Sequence, residues 1–230
     1  MRSKLLSLIL CLCLFASLLS SCGDKGKGGK TDREYDEAEV CAAARVLIEK
    51  SKILNEIYYG AGIPYKEPIK EDAEIDVYML ADPAYLSALY EDHGIKDIET
   101  LKEKTKEVFS KTGSASVISA FLQNTTGING MAGYARYYMA KENVDLGTQA
   151  GLMVRTNAKN YYENTASVEY IYDGMHVSAV DGAYLTVSLK VKTTGKDGTE
   201  NTRDMTVKLI EEENGYRLSG STVATHQPQL

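Results

Sequence analysis

Apolar positions along this chain keep a helical period up to about residue 133 and a period of two beyond it. Within residues 34–59, Val40, Ala43, Leu47, Leu54 and Ile57 follow three-, four- and seven-residue steps, while Glu37, Arg45, Glu49 and Lys52 lie on other faces. That spacing predicts one amphipathic helix, ended by Gly60, Gly62 and Pro64. After the acidic loop KEPIKEDAEID comes VYML (77–80), a short extended piece. Asp82-Pro83 reads as an N-cap with proline at the first helical position, opening a helix that runs through Tyr90 and stops at Gly94. The next helix places Ile98, Leu101, Thr105 and Val108 on one side and charged residues around the rest. Thr100 and Glu103 have capping-box spacing at its start, with Asp97 as the competing cap. Val117, Ile118, Phe121 and Leu122 supply one more short apolar face.

Residues 112–135 carry no charge, but their Gly, Ser, Thr and Asn content suits a buried helix and a Gly-rich loop better than a membrane span. Strand signals then take over. Tyr134–Met139 is tyrosine-rich and extended, Val168, Tyr170 and Tyr172 alternate with other residues, and Leu185, Val187, Leu189 and Val191 alternate with Thr186, Ser188 and Lys190. Met205, Val207 and Leu209 repeat the pattern, followed by Tyr216 and Leu218. Asp181-Gly182, Gly195–Gly198 and Asn214-Gly215 fall between these runs as hairpin signals. The fold expected is α+β: N-terminal helices (34–123) packed on a curved antiparallel sheet of five or six strands (134–223), in one domain over 34–230.

The N-terminus has its own logic. Arg2 and Lys4 precede an almost continuous apolar run, Leu5 to Leu19, which is short for a span and suits a cleaved signal. Leu19-Ser20-Ser21-Cys22 resembles the lipobox of bacterial lipoproteins. The resemblance implies a signal peptide over 1–21, lipidation of Cys22, and a chain anchored in the cell membrane on its extracytoplasmic side. Residues 23–30, GDKGKGGK, offer nothing to pack, so 22–33 reads as a flexible tether spanning on the order of 20 Å. Cys11 and Cys13 leave with the signal, and Cys41 sits in VCAAARVLI as a small buried hydrophobe, so no intrachain disulfide is expected.

A helical portion followed by long antiparallel strands resembles the nuclear-transport-factor-2-like (cystatin-like) cone, in which helices fill the concave side of a curved sheet. The closing pattern ENGYRLSGST (213–222) looks like the last strand of many such bacterial domains, with Tyr216 where tryptophan is commoner. The order LKEKTKEVFS (101–110), YARYYMAKENVDLG (134–147), ENGYRLSGST also resembles secreted domains related to DL-endopeptidase inhibitors, which restrain peptidoglycan hydrolases.

Charge and chemistry narrow the function classes. The 26 basic residues less Arg2 and Lys4 leave 24 against 32 acidic ones, a formal net of −8, which argues against nucleic acid or anionic surfaces as partners. No H-E-x-x-H, C-x-x-C or G-x-S-x-G motif occurs, and His93, His176 and His226 are far apart, with His226 expected in a frayed tail. Asp72, Glu74 and Asp76 alternate like a calcium loop without its glycine or closing glutamate, so no metal or cofactor is expected. The glycines at 127, 130 and 133 lack dinucleotide-loop spacing.

Tyrosine is the unusual residue: 16, against 3 Phe and no Trp. Tyr134, Arg136, Tyr138, Tyr161 and Tyr162 are candidates for an aromatic groove that takes a peptide, glycan or envelope protein; the plainer account is a core that uses Tyr in place of Phe. Three function classes stay open: a non-enzymatic binding lipoprotein, an inhibitor of a cell-wall hydrolase, and a cone-fold isomerase- or dehydratase-like enzyme. The last needs a proton-moving group inside the cone, yet the expected inward positions are Leu185, Val187, Leu189, Met205, Val207 and Leu209.

Overall fold

A computed structural model describes residues 34–66, 78–123, 125–126, 132–133, 135–142 and 150–226. The expected signal peptide, Cys22 and the expected tether, the calcium-like acidic triplet, most of the Gly-rich stretch and Tyr134 lie outside the described residues.

Helix α1 (Glu37–Tyr59) begins at Asp36, whose carboxylate accepts from the backbone N–H groups of Ala38 and Glu39. Its buried stripe runs Val40, Ala44, Leu47, Ile48, Ser51, Leu54, Asn55 and Tyr58. Ala43 is half-buried, so the stripe lies slightly rotated from the expected face, and it holds two polar members. Strand β1 (Tyr78–Leu80) follows, then α2 (Pro83–His93), capped by Asp82 and ended by Gly94 in the left-handed region at φ 70°. In α3 (Ile98–Val108) the buried residues are Ile98, Leu101, Thr105 and Val108, the face the spacing predicts. Asp97 wins the competition for the cap: its carboxylate accepts from Thr100 N at 2.8 Å, and Thr100 Oγ1 accepts from Asp97 N at 3.1 Å. Helix α4 (Lys111–Leu122) completes the set.

The strands form separate antiparallel sheets, and here the expectation of a single sheet needs correction. β2 (Thr125–Thr126) and β3 (Ala132–Gly133) make a two-residue pair. β4 (Tyr137–Ala140) and β5 (Gly151–Arg155) join β1 in the order β1-β5-β4. These strands are too short to span a cone, and β1 comes from the helical half. Leu152 and Val154 are buried on one face of β5, an alternation too brief to stand out in sequence.

The main sheet is a meander of β6 (Thr165–Asp181), β7 (Tyr184–Gly195), β8 (Glu200–Glu212) and β9 (Gly215–Leu218), turning at the three expected hairpins. It is open and curved, so the protein is α+β with helices on an antiparallel sheet. Between Ile171 and His176 five steps along β6 oppose only two along β7, and Gly174 inside this bulge has φ 72°. Such irregularities bend and twist a strand. The bend is tied to α1, because Cys41 Sγ lies 3.7 Å from Met175 O and Glu37 accepts from Val177 N at 2.8 Å.

Leu185, Val187, Leu189, Val191, Val207, Leu209 and Leu218 form the buried sheet face, with Met205 half-buried. Lys190, Thr206 and Lys208 point the other way and are exposed. Residues 219–226 run back across the start of β6: Tyr170 Oη donates to Thr222 O at 2.7 Å and His226 N donates to Thr165 Oγ1 at 2.8 Å. The frayed tail expected at His226 is therefore corrected. Its ring is buried within hydrogen-bond distance of Thr199 Oγ1.

Candidate functional site

The last turns of α1 carry two adjoining regions of opposite character. Helix C-termini leave carbonyls without intrahelical donors, and here the rest of the chain supplies them. Asn55 O and Glu56 O accept from Gly60 N, and Glu56 O also from Gly62 N. Tyr137 Oη donates to Ile57 O at 2.6 Å. Arg136 donates through Nη1 to Tyr58 O at 2.6 Å and through Nη2 to Gly60 O at 2.7 Å. Tyr161 N donates to Tyr59 O at 2.7 Å. A guanidinium at a helix C-terminus also meets the negative end of the helix dipole. Gly62, at φ 81°, lets the chain pass this point: a Cβ there would lie 2.4 Å from Tyr137 Oη and 2.5 Å from Arg136 Nη2.

Burial pushes the Tyr137 phenol up to about 12, with the Arg136 charge pulling the other way. Burial likewise raises Tyr58, whose hydroxyl is 2.7 Å from Thr105 Oγ1. Both stay protonated at ordinary pH and serve as fixed hydrogen-bond groups.

One turn earlier, α1 faces a cleft of about 200 Å³ lined by Lys52, Asn55 and Glu56 on the helix and by Tyr162, Tyr170 and residues 165–168 opposite. Beneath it runs a directional relay. Asn55 Nδ2 donates to Thr222 Oγ1 at 2.7 Å, Thr222 Oγ1 lies 2.5 Å from Ser51 Oγ, and Ser51 Oγ donates to Ile48 O at 2.7 Å. Since Ser51 gives its proton to a carbonyl, it accepts from Thr222, and Thr222 accepts from Asn55. The amide is thereby oriented, and Asn55 Oδ1 has no hydrogen-bond partner although Asn55 is only 2% exposed. At the rim, Lys52 Nζ is 5.4 Å from the Tyr170 ring centroid and pairs with Glu49 at 2.7 Å. Glu49 also accepts from Tyr172 Oη at 2.5 Å; burial pushes Glu49 up, but the bonds from Lys52 and Tyr172 outweigh it and hold the carboxyl below its usual value. Burial raises Tyr162, with Tyr170 beside it acting in the same direction.

The four described groove candidates, Arg136, Tyr138, Tyr161 and Tyr162, do not form one surface. Arg136 is buried in the helix clamp, which supports the structural account of that residue. Tyr138 stacks edge-on against Tyr78 at 4.7 Å. Tyr161 is 45% exposed, lies edge-on to Tyr59 at 5.8 Å and carries Lys159 Nζ 4.4 Å above its ring. Tyr162 lines the cleft, while Tyr134 falls outside the described residues. Among the described residues no three His, Cys, Asp or Glu side chains converge in a way that could hold a metal.

The sequence matches no protein-family model, and no curated protein matches it.

Ser51, Asn55 and Thr222 escaped the sequence reading. A signal for the first two exists: they are polar residues at i and i+4 within the apolar stripe of α1, a spacing that puts both on the buried face. Thr222 had none, because its partners lie 167 and 171 positions away.

Proposed function

We propose that this chain is a lipid-anchored binding protein of the extracytoplasmic envelope, held through Cys22 and working without catalysis. The observation that carries this reading is the division of the sheet. Its inward face is apolar and covered, so a proton-moving group of the isomerase kind has no place among Leu185, Val187, Leu189, Val207 and Leu209. A tyrosine-edged cleft instead opens outward beside α1. A peptide, a glycan or an envelope protein is the partner proposed for it, since the net negative charge weighs only against anionic partners.

The hydrolase-inhibitor reading has a specific support. Its three motif segments adjoin: Phe109, at the end of the first, pairs with Leu218 in the last, Ser110 N donates to Leu218 O at 2.7 Å, and α3 also touches β4. Capture of partners from envelope extract, followed by peptidoglycan-hydrolase assays on the recovered proteins, tests both readings. Inhibition at saturating lipoprotein selects the inhibitor reading. Full activity of every recovered hydrolase removes it, and recovery of no saturable partner or ligand contradicts binding altogether.

A further inference from the structure

Strand β6 is the end strand of the main sheet, so one of its edges has no neighbouring strand. Alternate residues of an antiparallel strand turn both backbone groups to the same side. Lys196 N donates across to Asn164 O, while Gly195 N donates the other way, to Thr199 O beside β8. By that alternation Thr194, Lys192 and Lys190 of β7 bond to Ser167, Glu169 and Ile171. Val168 and Tyr170 therefore turn their N–H and C=O groups away from β7. The same parity holds further along, where Val177, opposite Val187, gives its outward N–H to Glu37 Oε1 at 2.8 Å. An open edge is a template for another strand, and proteins commonly cover it. Helix α1 covers the far part of this edge through Glu37 and Cys41. It leaves the near part open. At Val168 and Tyr170 the helix faces β6 across the cleft of about 200 Å³, with Lys52, Asn55 and Glu56 as the opposite wall. Among the described residues no backbone bond reaches Val168 or Tyr170 from that side. Glu169, between them, is exposed on the other face of the strand. Its cross-strand neighbour Lys192 is drawn to Glu200 at 2.7 Å, which leaves Glu169 without an ion pair among the described residues.

We infer that β6 takes an extended peptide segment of a partner protein as an added antiparallel strand along Val168–Tyr170, with a basic residue opposite Glu169. Val168 and Tyr170 each exchange two main-chain hydrogen bonds with the residue they face, which gives affinity without regard to side chains. Side chains then set the preference. Apolar or β-branched ones share the face of Val168 and Tyr170, and the one between them meets Glu169 at the closest cross-strand spacing. The net negative charge of the chain favours the same basic partner. A second copy of this chain is a poorer occupant. The register that uses both rungs sets Val168 against Tyr170 of the second copy, and so sets the two Glu169 carboxylates directly against each other. The inference deepens the binding reading by naming the class of ligand, and it rests on that reading for the origin of the peptide.

The probe is the peptide acetyl-Thr-Val-Lys-Val-Thr-amide, titrated calorimetrically into the full chain extracted in detergent. Two comparison peptides are N-methylated, one on both valines and one on the lysine. In an antiparallel addition the valine amides face β6 and the lysine amide faces away. Saturable binding with a dissociation constant below about 1 mM is expected, and methylation of the valines should weaken it about tenfold more than methylation of the lysine. Glutamate in place of the lysine should weaken it about threefold or more. Amide hydrogen exchange locates the contact. In the free chain the Val168 and Tyr170 protons should exchange faster than those of Ser167, Glu169 and Ile171, and the peptide should slow both. Val168→Pro removes one edge donor and spares the bonds to β7, because an edge strand tolerates proline where the nitrogen faces outward. It should weaken binding about tenfold. The methylated peptides need no variant, so the test stands even if Val168→Pro misfolds. No saturable binding up to about 1 mM overturns the inference. Equal binding of the two methylated peptides, equal binding of the glutamate peptide, or exchange at Val168 and Tyr170 that the peptide leaves unchanged overturns it as well. The anchored binding protein survives each of these results, since capture from envelope extract tests it with whole partners.

Discussion

The two ends of one helical turn differ in how their polar groups are met. At the C-terminus of α1, the carbonyls of residues 55–60 all receive donors, four of them from Arg136, Tyr137 and Tyr161. At Asn55, a side-chain oxygen equally hidden from water receives none. The first arrangement is what stability alone produces, since each buried carbonyl left unpaired costs about 1–3 kcal/mol. The second runs against stability, and Arg136 Nε inside the clamp is likewise buried without a partner, so the contrast lies in the backbone carbonyls and not in every polar atom.

Mutations at the two places should therefore behave in opposite ways. Arg136→Met strips Tyr58 O and Gly60 O of their donors, and a loss of about 3–5 kcal/mol is expected in urea unfolding, enough to unfold much of a marginal domain. A loss under about 1 kcal/mol would mean the clamp is not what closes the helix. Gly62→Ala forces a Cβ at positive φ onto the same clamp and should cost about 2–4 kcal/mol. Its midpoint of denaturation should fall clearly, whereas Gly198→Ala, also at positive φ but with open space around it, should show the strain alone.

The clamp also sets the response to base. Tyr58 and Tyr137 hold their protons more tightly folded than unfolded, with ordinary values near 10 in the unfolded chain. The stability they contribute is fully present below pH 10 and is lost as pH rises through the folded values. Unfolding followed by circular dichroism should show a steady plateau near pH 9 and a decline above pH 10. Tyr137→Phe, which starts lower, should decline less. A flat profile to pH 12 would contradict buried, proton-holding phenols.

The open acceptor predicts the smallest structural effect. Asn55→Leu removes the donor to Thr222 but also the unpaired oxygen, and the two changes offset to within about 1 kcal/mol. A destabilisation as large as that of Arg136→Met would show that Asn55 belongs to the framework.

Much of this framework can be read from residue order. The apolar side of α3, the Asp82-Pro83 start, and the inward Leu185, Val187 and Leu189 follow from local periods and caps, because each is set by neighbours within a turn or a strand. The clamp is different. Arg136 reaches carbonyls 76 and 78 positions away, and backbone acceptors carry no residue signature, so in sequence it resembles a surface cation among tyrosines. The β1–β5 pairing and the bulge around Gly174 are hidden for the same reason: both are settled by tertiary contact. Of the cleft, only Tyr162 stands out in sequence as a binding candidate, by its aromatic character; Asn55 meets its partner Thr222 only at the far end of the chain.

The proposed function depends on where the domain is held, and under that proposal Cys22 is the anchor. Cys22→Ala touches a segment with nothing to pack and should change stability by no more than about 0.5 kcal/mol. It should abolish acylation and either free the protein or leave the precursor uncleaved. The most direct measurement is mass spectrometry of the membrane-extracted chain from cells expressing the unaltered gene. The account predicts a mature N-terminus at Cys22 carrying a thioether-linked diacylglyceryl group. An unmodified Cys22 thiol on a chain free in the medium would contradict it.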